Sequence, residues 1–357
     1  DRASATMDPM RAVVVEEFGR VPVVREVPEP VCAPHGVVLR VEATGVCRSD
    51  WHGWQGHDDG ITLPHVPGHE LAGTVVEVGA DVRRWAVGDR VTVPFVCACG
   101  DCPACAAGEH QVCERQTQPG FTHDGSFAER VALDHADVNL VALPPTLSAV
   151  TAAGLGCRFA TAYRALTVHG RPRAGEWVAV HGCGGVGLSA VMVAASLGAR
   201  VVAVDVSPAA RAAALDLGAE LAVDASGLAP ADVAAAVHEA TAGGAHVSLD
   251  ALGSAATAAA SLLGLRRRGR HVQVGLLLGA DADPALPMGR VVAWELEVYG
   301  SHGMAAHEYP AMLARIADGT LRPDRLVGPV VTLDDAPAAL AAMSGPATSV
   351  GMTVVVP

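Results

Sequence analysis

No uninterrupted apolar run in this 357-residue chain approaches the roughly 20 residues that span a bilayer, and no charged start, apolar run and small-residue cleavage site follow one another. Neither a transmembrane helix nor a secretory leader is expected, and the chain reads as soluble and cytoplasmic. Positive charge is scarce: 25 Lys and Arg stand against 38 Asp and Glu, a formal net charge of -13. That balance repels phosphate backbones and anionic headgroups, which excludes nucleic acid and membrane surfaces as partners. Aromatic residues make up only 4 % of the chain, too few to mark a substrate pocket by themselves. No repeat of solenoid type is present.

What is there points to two ordinary domains, because half of the residues are apolar and a sizeable core can be buried. Asp1 to Pro9 read as an added tail outside the fold, since periodic sequence begins at Met10. Up to about residue 155 the chain shows short Val-rich β segments, such as Val37 to Val41, Gly73 to Val78 and Arg90 to Pro94, between Gly and Pro turns. From Trp177 apolar strands alternate with alanine-rich helical stretches, which predicts a parallel α/β sheet. Strands are expected at Trp177 to Val180, Val201 to Val204, Leu221 to Val223, Val247 to Asp250, His271 to Val274 and Glu297 to Tyr299. Six strands complete a doubly wound sheet. Arg266, Arg267 and Arg268 are expected at a helix end, where cations offset the macrodipole. Beyond residue 300 a helix over Tyr309 to Leu321 and strands at Val330 to Thr332 and Met352 to Val356 are expected to return to the first domain.

The first strand of the α/β part runs into Gly182-Cys183-Gly184-Gly185-Val186-Gly187 and then an apolar helical run, the strand-turn-helix context that a G-x-G-x-x-G fingerprint requires. Gly182 permits the turn, Gly184 lets a pyrophosphate approach, and Gly187 permits close packing, while the helix N-terminus offers N–H donors to the anion. Gly185 and Val186 complete that cofactor-binding turn. Asp205 ends the next strand, 18 residues after Gly187, where it can hold ribose hydroxyls and repel a 2′-phosphate. NAD is therefore expected in preference to NADP.

Nine cysteines are unevenly spread. Cys99, Cys102, Cys105 and Cys113 give C-x2-C-x2-C-x7-C, four thiols able to close a tetrahedral, structural zinc site, with Cys97 as bystander. Acidic flanks at Asp101, Glu109 and Glu114 argue against a nucleic-acid-binding zinc ribbon. Cys47, His69 and Cys157 are dispersed, and spacing alone cannot bring them together; a buried thiol or a core histidine is the plain reading of each.

Taken together, G-V-C-R-S-D-x-H, P-G-H-E-x-x-G, the four-cysteine loop, C-x-F-x-T-A-Y and G-C-G-G-V-G occur in one order, and the chain resembles zinc-dependent medium-chain alcohol dehydrogenases over essentially its whole length after Met10. The resemblance implies a GroES-like catalytic domain at 10–157, a Rossmann domain at 158–298 and a C-terminal return at 299–357, with the active site in the cleft. It implies Cys47, His69 and Cys157 as catalytic zinc ligands, Glu70 as a carboxylate able to displace the zinc water, and Asp50 as the acceptor that orients His69. Cys157 stands where polyol dehydrogenases of the superfamily usually have Glu, which favours the alcohol dehydrogenase branch. By the same matching Arg48 meets the pyrophosphate, Thr161 the nicotinamide region, and Val274 joins the cofactor-binding set. Ser49 would take the hydroxyl proton and pass it through the cofactor ribose to His52. Trp54 resembles a substrate-pocket tryptophan, whereas His57, His65, Cys32 and Cys183 receive no role. A homo-oligomer is implied, a tetramer in preference to a dimer, with the strand at Glu297 to Tyr299 as a contact edge. The implied activity is reversible hydride transfer between a primary or small secondary alcohol and NAD. Alternatives are a polyol, threonine or glutathione-adduct dehydrogenase, or a non-catalytic NAD(H) and zinc redox sensor.

Overall fold

The computed structural model describes residues 9–345 and 351–357. They divide into two compact units, one taking the chain up to Cys157 with Met304–Ala311 and the stretch from Val327 onward, the other Arg158–Gly303 with Met312–Leu326.

In the first unit β1 (Pro9–Val14) and β2 (Val23–Pro28) pair antiparallel, with Pro9 opposite Pro28. Pro9 thus belongs to the fold and not to the tail. A larger sheet is built from β3 (Val37–Gly45), β4 (Glu70–Val78), β5 (Arg90–Thr92), β6 (Arg130–Leu133) and β7 (Val141–Ala142), joined antiparallel. Val37, Leu39 and Val41 of β3 meet Leu71, Val75, Val91 and Val131 in one buried cluster. Alternate residues share a face of a strand, which is why the Val-rich pattern suffices to form it.

The second unit holds β8 (Trp177–His181), β9 (Arg200–Asp205), β10 (Leu221–Asp224), β11 (Ala245–Asp250), β12 (Leu265–Gln273) and β13 (Glu297–Gly300), all parallel, in the order β10-β9-β8-β11-β12-β13. This is the Rossmann order. All five residues of β8 are buried, as befits the central strand of a parallel sheet. The order reverses between β8 and β11, so the C-terminal ends of those strands border the crevice where ligands of such sheets bind. The chain then gives β14 (Val327–Thr332) and β15 (Met352–Val356) to the first unit, where β15 sets Val354 opposite Gly45 of β3.

Two expectations are corrected. Helix Ala255–Leu263 is over before the arginine run, and Arg266, Arg267 and Arg268 lie in β12. The register passes from Ala245↔Leu265 to Val247↔Arg270, so a bulge takes up the extra residues, and Arg266 Nε donates to the Gly244 carbonyl at 2.9 Å. The C-terminal stretch does not return as one block: residues 312–326 stay with the second unit. The helix there, Tyr309–Ala317, is shorter than expected. Arg315 Nη2 donates to Ser196 O at 2.8 Å and Arg322 N to Met192 Sδ at 3.3 Å, tying this stretch to helix Gly185–Ser196.

Candidate active site

Cys47 lies two residues beyond β3, and His69 one residue before β4. Gly45 and Glu70 are opposite one another in that antiparallel pair, so the register carries the two side chains to the same end of the sheet. Cys157 arrives on a π-helical turn, Leu155–Phe159, a local widening frequent at functional sites. One ligand atom from each of Cys47, His69, Glu70 and Cys157 lies within 4.8 Å of the others.

Asp50 organises this cluster. Its Oδ2 accepts from Cys47 N at 2.9 Å, closing a capping box on helix Arg48–Trp54, and its Oδ1 accepts from Gly68 N at 3.1 Å and His69 Nδ1 at 2.8 Å. With Nδ1 committed to Asp50, His69 has Nε2 left, and that atom is buried without a hydrogen-bond partner. An unsatisfied buried nitrogen costs about 1–3 kcal/mol. Two thiols, an imidazole nitrogen and a carboxylate are a zinc donor set, so the residues fit a zinc ion that would satisfy Nε2. Burial pushes the His69 imidazole down, but the Asp50 carboxylate, and after it the Cys47 sulfur, outweigh burial and hold the group well above its usual range. Phe121 and Phe95 place their rings 5.2 and 6.3 Å from His69 and make its surroundings apolar. Tyr309 is fully buried, with its hydroxyl 3.4 Å from the Leu155 and Gly156 carbonyls. It braces the turn before Cys157, and nothing in the local sequence announces it.

The four-cysteine loop is a second centre. Cys99, Cys102, Cys105 and Cys113 bring their sulfurs within 4.8 Å of one another, and none is in a disulfide. Separations of 3.5, 3.7 and 4.0 Å between sulfurs match the roughly 3.8 Å that Zn–S bonds of ~2.3 Å impose on a tetrahedron. Backbone N–H groups of Cys99, Cys105 and Arg115 point at sulfurs at 3.3 to 3.5 Å, a setting for thiolates. Cys97 stands apart, with Sγ on the Pro94 carbonyl.

In the second unit the glycine turn joins β8 to helix Gly185–Ser196. Gly182 has φ +85°, and a Cβ on Gly187 would stand 1.8 Å from the Gly182 carbonyl oxygen. At Gly184 the same test meets nothing within 4 Å, so open space lies where a pyrophosphate would approach. No side chain caps the helix and no acidic residue occupies its first turn, which leaves its N–H groups to an anion. Asp205 is fixed: its Oδ2 accepts from Cys183 N at 2.6 Å and its Oδ1 from Ser207 N at 2.7 Å. Thr161 Oγ1 is buried without a partner. Val274 follows β12 and donates its N–H to the Asp250 carbonyl at 3.0 Å. Arg158, buried, sets its Nη1 3.0 Å from where a Gly185 Cβ would be, a cation beside the helix start that sequence reasoning passed over.

The remaining positions are on or near helix Arg48–Trp54. Ser49 Oγ is 4.0 Å from Cys47 Sγ. Arg48 is exposed, its Nη1 on the Met343 carbonyl at 2.6 Å and its guanidinium over the Trp51 ring. His52 is partly buried, with Nδ1 3.0 Å from Nδ1 of His57. Trp54 packs with Val14, Val15 and Val46, and its Nε1 donates to the Arg20 carbonyl at 2.6 Å.

Two family models match the chain: the alcohol dehydrogenase GroES-like domain over residues 33–145 and the zinc-binding dehydrogenase over residues 185–318. An alcohol dehydrogenase of Geobacillus stearothermophilus is 35 % identical over 332 residues, 91 % of this chain and 94 % of that protein. The solved alcohol dehydrogenase TADH from Thermus sp. ATN1 superposes with a TM-score of 0.87 at 34 % identity, covering 97 % of this chain and 99 % of its own. A zinc-binding dehydrogenase of Sinorhizobium meliloti 1021, solved bound to NADP, superposes with a TM-score of 0.86 at 29 % identity over 98 % of this chain and 100 % of its own.

Proposed function

The chain belongs to the zinc-dependent medium-chain alcohol dehydrogenase family, and from that premise we propose that it is a zinc- and NAD-dependent alcohol dehydrogenase interconverting a primary or small secondary alcohol with its aldehyde or ketone. The observation that carries this reading is the buried cluster of Cys47, His69, Glu70 and Cys157, with His69 Nε2 left unpaired while Asp50 holds Nδ1. A zinc ion held by this set would supply Lewis-acid chemistry toward an alcohol or carbonyl oxygen. NAD is the hydride acceptor.

The chain's own residues do the rest. Cys47, His69 and Cys157 would hold the zinc, with Glu70 as an alternate ligand, and three protein ligands would leave it open to substrate. Ser49 receives the hydroxyl proton and His52 carries it onward, an imidazole being the side chain suited to moving a proton near neutral pH. Gly182, Gly184, Gly185, Val186 and Gly187 give backbone donors and clearance to the pyrophosphate, with Arg48 as the cation. Asp205 supports NAD over NADP, because a carboxylate pinned by two backbone N–H groups cannot turn away from a 2′-phosphate. The four thiols of Cys99, Cys102, Cys105 and Cys113 would hold a second zinc, one with a structural duty because protein would supply every ligand.

NADH formation by the zinc-loaded protein across primary, secondary, aromatic and polyol substrates, with NADP and Cys47→Ser as controls, tests this directly. Turnover with NAD on simple alcohols, lost in Cys47→Ser, is the expected result. Turnover confined to polyols, threonine or glutathione adducts moves the protein to another branch, and tight NADH binding without turnover makes it a sensor.

A further inference from the structure

Helix Arg48–Trp54 ends in a turn that sets a second imidazole against His52. Gly56, at φ +75°, donates its N–H to the Gly53 carbonyl at 3.0 Å, and His57 N donates to the His52 carbonyl at 3.0 Å. This pair of bonds is the Schellman ending, which brings the side chain two residues past the cap against one in the last turn. An apolar pair usually fills those two places; here they are His57 and His52, with Nδ1 atoms 3.0 Å apart. Trp51 stands edge-on to both rings, at 4.9 and 5.7 Å, and its Nε1 is fastened to Ser344 Oγ at 2.8 Å.

We infer that His57 is the solvent end of the proton path, taking a proton from Nδ1 of His52 through its own Nδ1 and releasing one from Nε2 to water. This rests on the reading of Ser49 and His52 as the relay of an alcohol dehydrogenase. Two imidazoles joined through their Nδ1 atoms hold one proton between them, so one ring donates and the other accepts. A proton arriving at Nε2 of His52 makes that ring an imidazolium. Its Nδ1 proton crosses to Nδ1 of His57, which gives up its Nε2 proton to water; when the pair opens, each ring takes one proton from water and returns one, which restores the starting tautomers. One proton enters, one leaves, and only N–H bonds change.

The surroundings give the path its direction. His52 is partly buried whereas His57 is exposed, so the pair runs from the protein side to solvent. Burial first, then His57 and Arg48, push the His52 imidazole below its ordinary value, with Cys47 pulling the other way. His52 is thus a neutral acceptor at neutral pH. His57 acts only through His52, so its removal slows proton exit without touching zinc or cofactor.

The test compares wild type, His57→Gln and His57→Ala in alcohol oxidation by the zinc-loaded enzyme, across pH and imidazole concentration in weak buffer. Glutamine can still hydrogen-bond His52 but relays no proton. Both variants should lose roughly three- to tenfold in kcat near neutral pH, less than the ~10²–10⁴ of a direct general base, because bulk water can substitute slowly. KM for alcohol and NAD should be unchanged, the solvent deuterium isotope effect should rise, and free imidazole should restore the variants but not affect wild type. Recovery by His57→Gln of all that His57→Ala loses, without imidazole, overturns the inference by making His57 a packing residue; so does a wild-type kcat in His57→Gln. A readout that needs no turnover is the nitrogen NMR titration of the two rings in the intact protein, where linked steps are expected and independent ones overturn the pair. A wild-type protein that oxidises no alcohol defeats the proposed function and the path with it, whereas activity indifferent to His57→Gln defeats the path alone.

Discussion

Asp50 shows how much a single residue can hold. Three donors converge on its carboxylate, the N–H groups of Cys47 and Gly68 and Nδ1 of His69, so one side chain sets the backbone of one zinc-ligand candidate and the ring of another. In Asp50→Asn one oxygen becomes an NH₂ that opposes a donor, leaving a buried N–H unsatisfied at a cost of about 1–3 kcal/mol. Loss of the orienting carboxylate should also weaken zinc binding roughly ten- to hundredfold, measurable by competition with a chromophoric chelator. Wild-type affinity in Asp50→Asn would mean that His69 is positioned by packing against Phe95 and Phe121 alone.

At the scale of the element, the glycine turn separates two duties that the fingerprint merges. Gly187 is required by packing, because a Cβ there would stand 1.8 Å from a carbonyl oxygen, whereas Gly184 faces open space. Gly187→Ala should therefore lower the melting temperature and reduce NADH binding together. Gly184→Ala should melt like wild type yet bind NADH weakly, as fluorescence titration would show; unchanged affinity there would remove the pyrophosphate from this turn. This turn was legible in the sequence because strand, turn and helix are contiguous and each carries its own local signal. The four-cysteine loop was legible for the same reason. The cluster of Cys47, His69 and Cys157 was not, except through resemblance, since it depends on the Gly45↔Glu70 register of β3 and β4 and on a π-helical turn. Register is a long-range property that no spacing within one segment encodes. The start of β12 was misread for a related reason: three arginines look like a solvated helix end until the bulge opposite Ala245 and Val247 is seen.

For the whole molecule, the response to acid follows from groups that cannot reach water. The formal charge of -13 at neutral pH falls toward zero near pH 5.5, so charge repulsion does not drive unfolding over that interval. His181 does the opposite. It ends β8 and is buried, with Nε2 unpaired; burial, and then the nearby His271, push its imidazole down to about 3. Its neighbour His271 is itself held below its usual value by burial, against the raising influence of Asp250 and Gln273. A histidine whose folded value lies below its unfolded ~6.5 binds fewer protons folded than unfolded, so its contribution is complete above pH ~6.5 and is lost as pH falls toward the folded value. At about 1.36 kcal/mol per unit, that loss reaches roughly 3 kcal/mol by pH ~4, a large share of the ~5–15 kcal/mol that a domain holds. His181→Phe keeps a similar volume and removes both the titration and the unpaired nitrogen. The variant should unfold at lower pH than wild type when circular dichroism is followed from pH ~7 to ~3, with the stability gain growing as pH drops below ~6.5. An identical acid midpoint in the two proteins would move the acid sensitivity to the paired carboxylates and leave His181 a neutral packing residue at every pH.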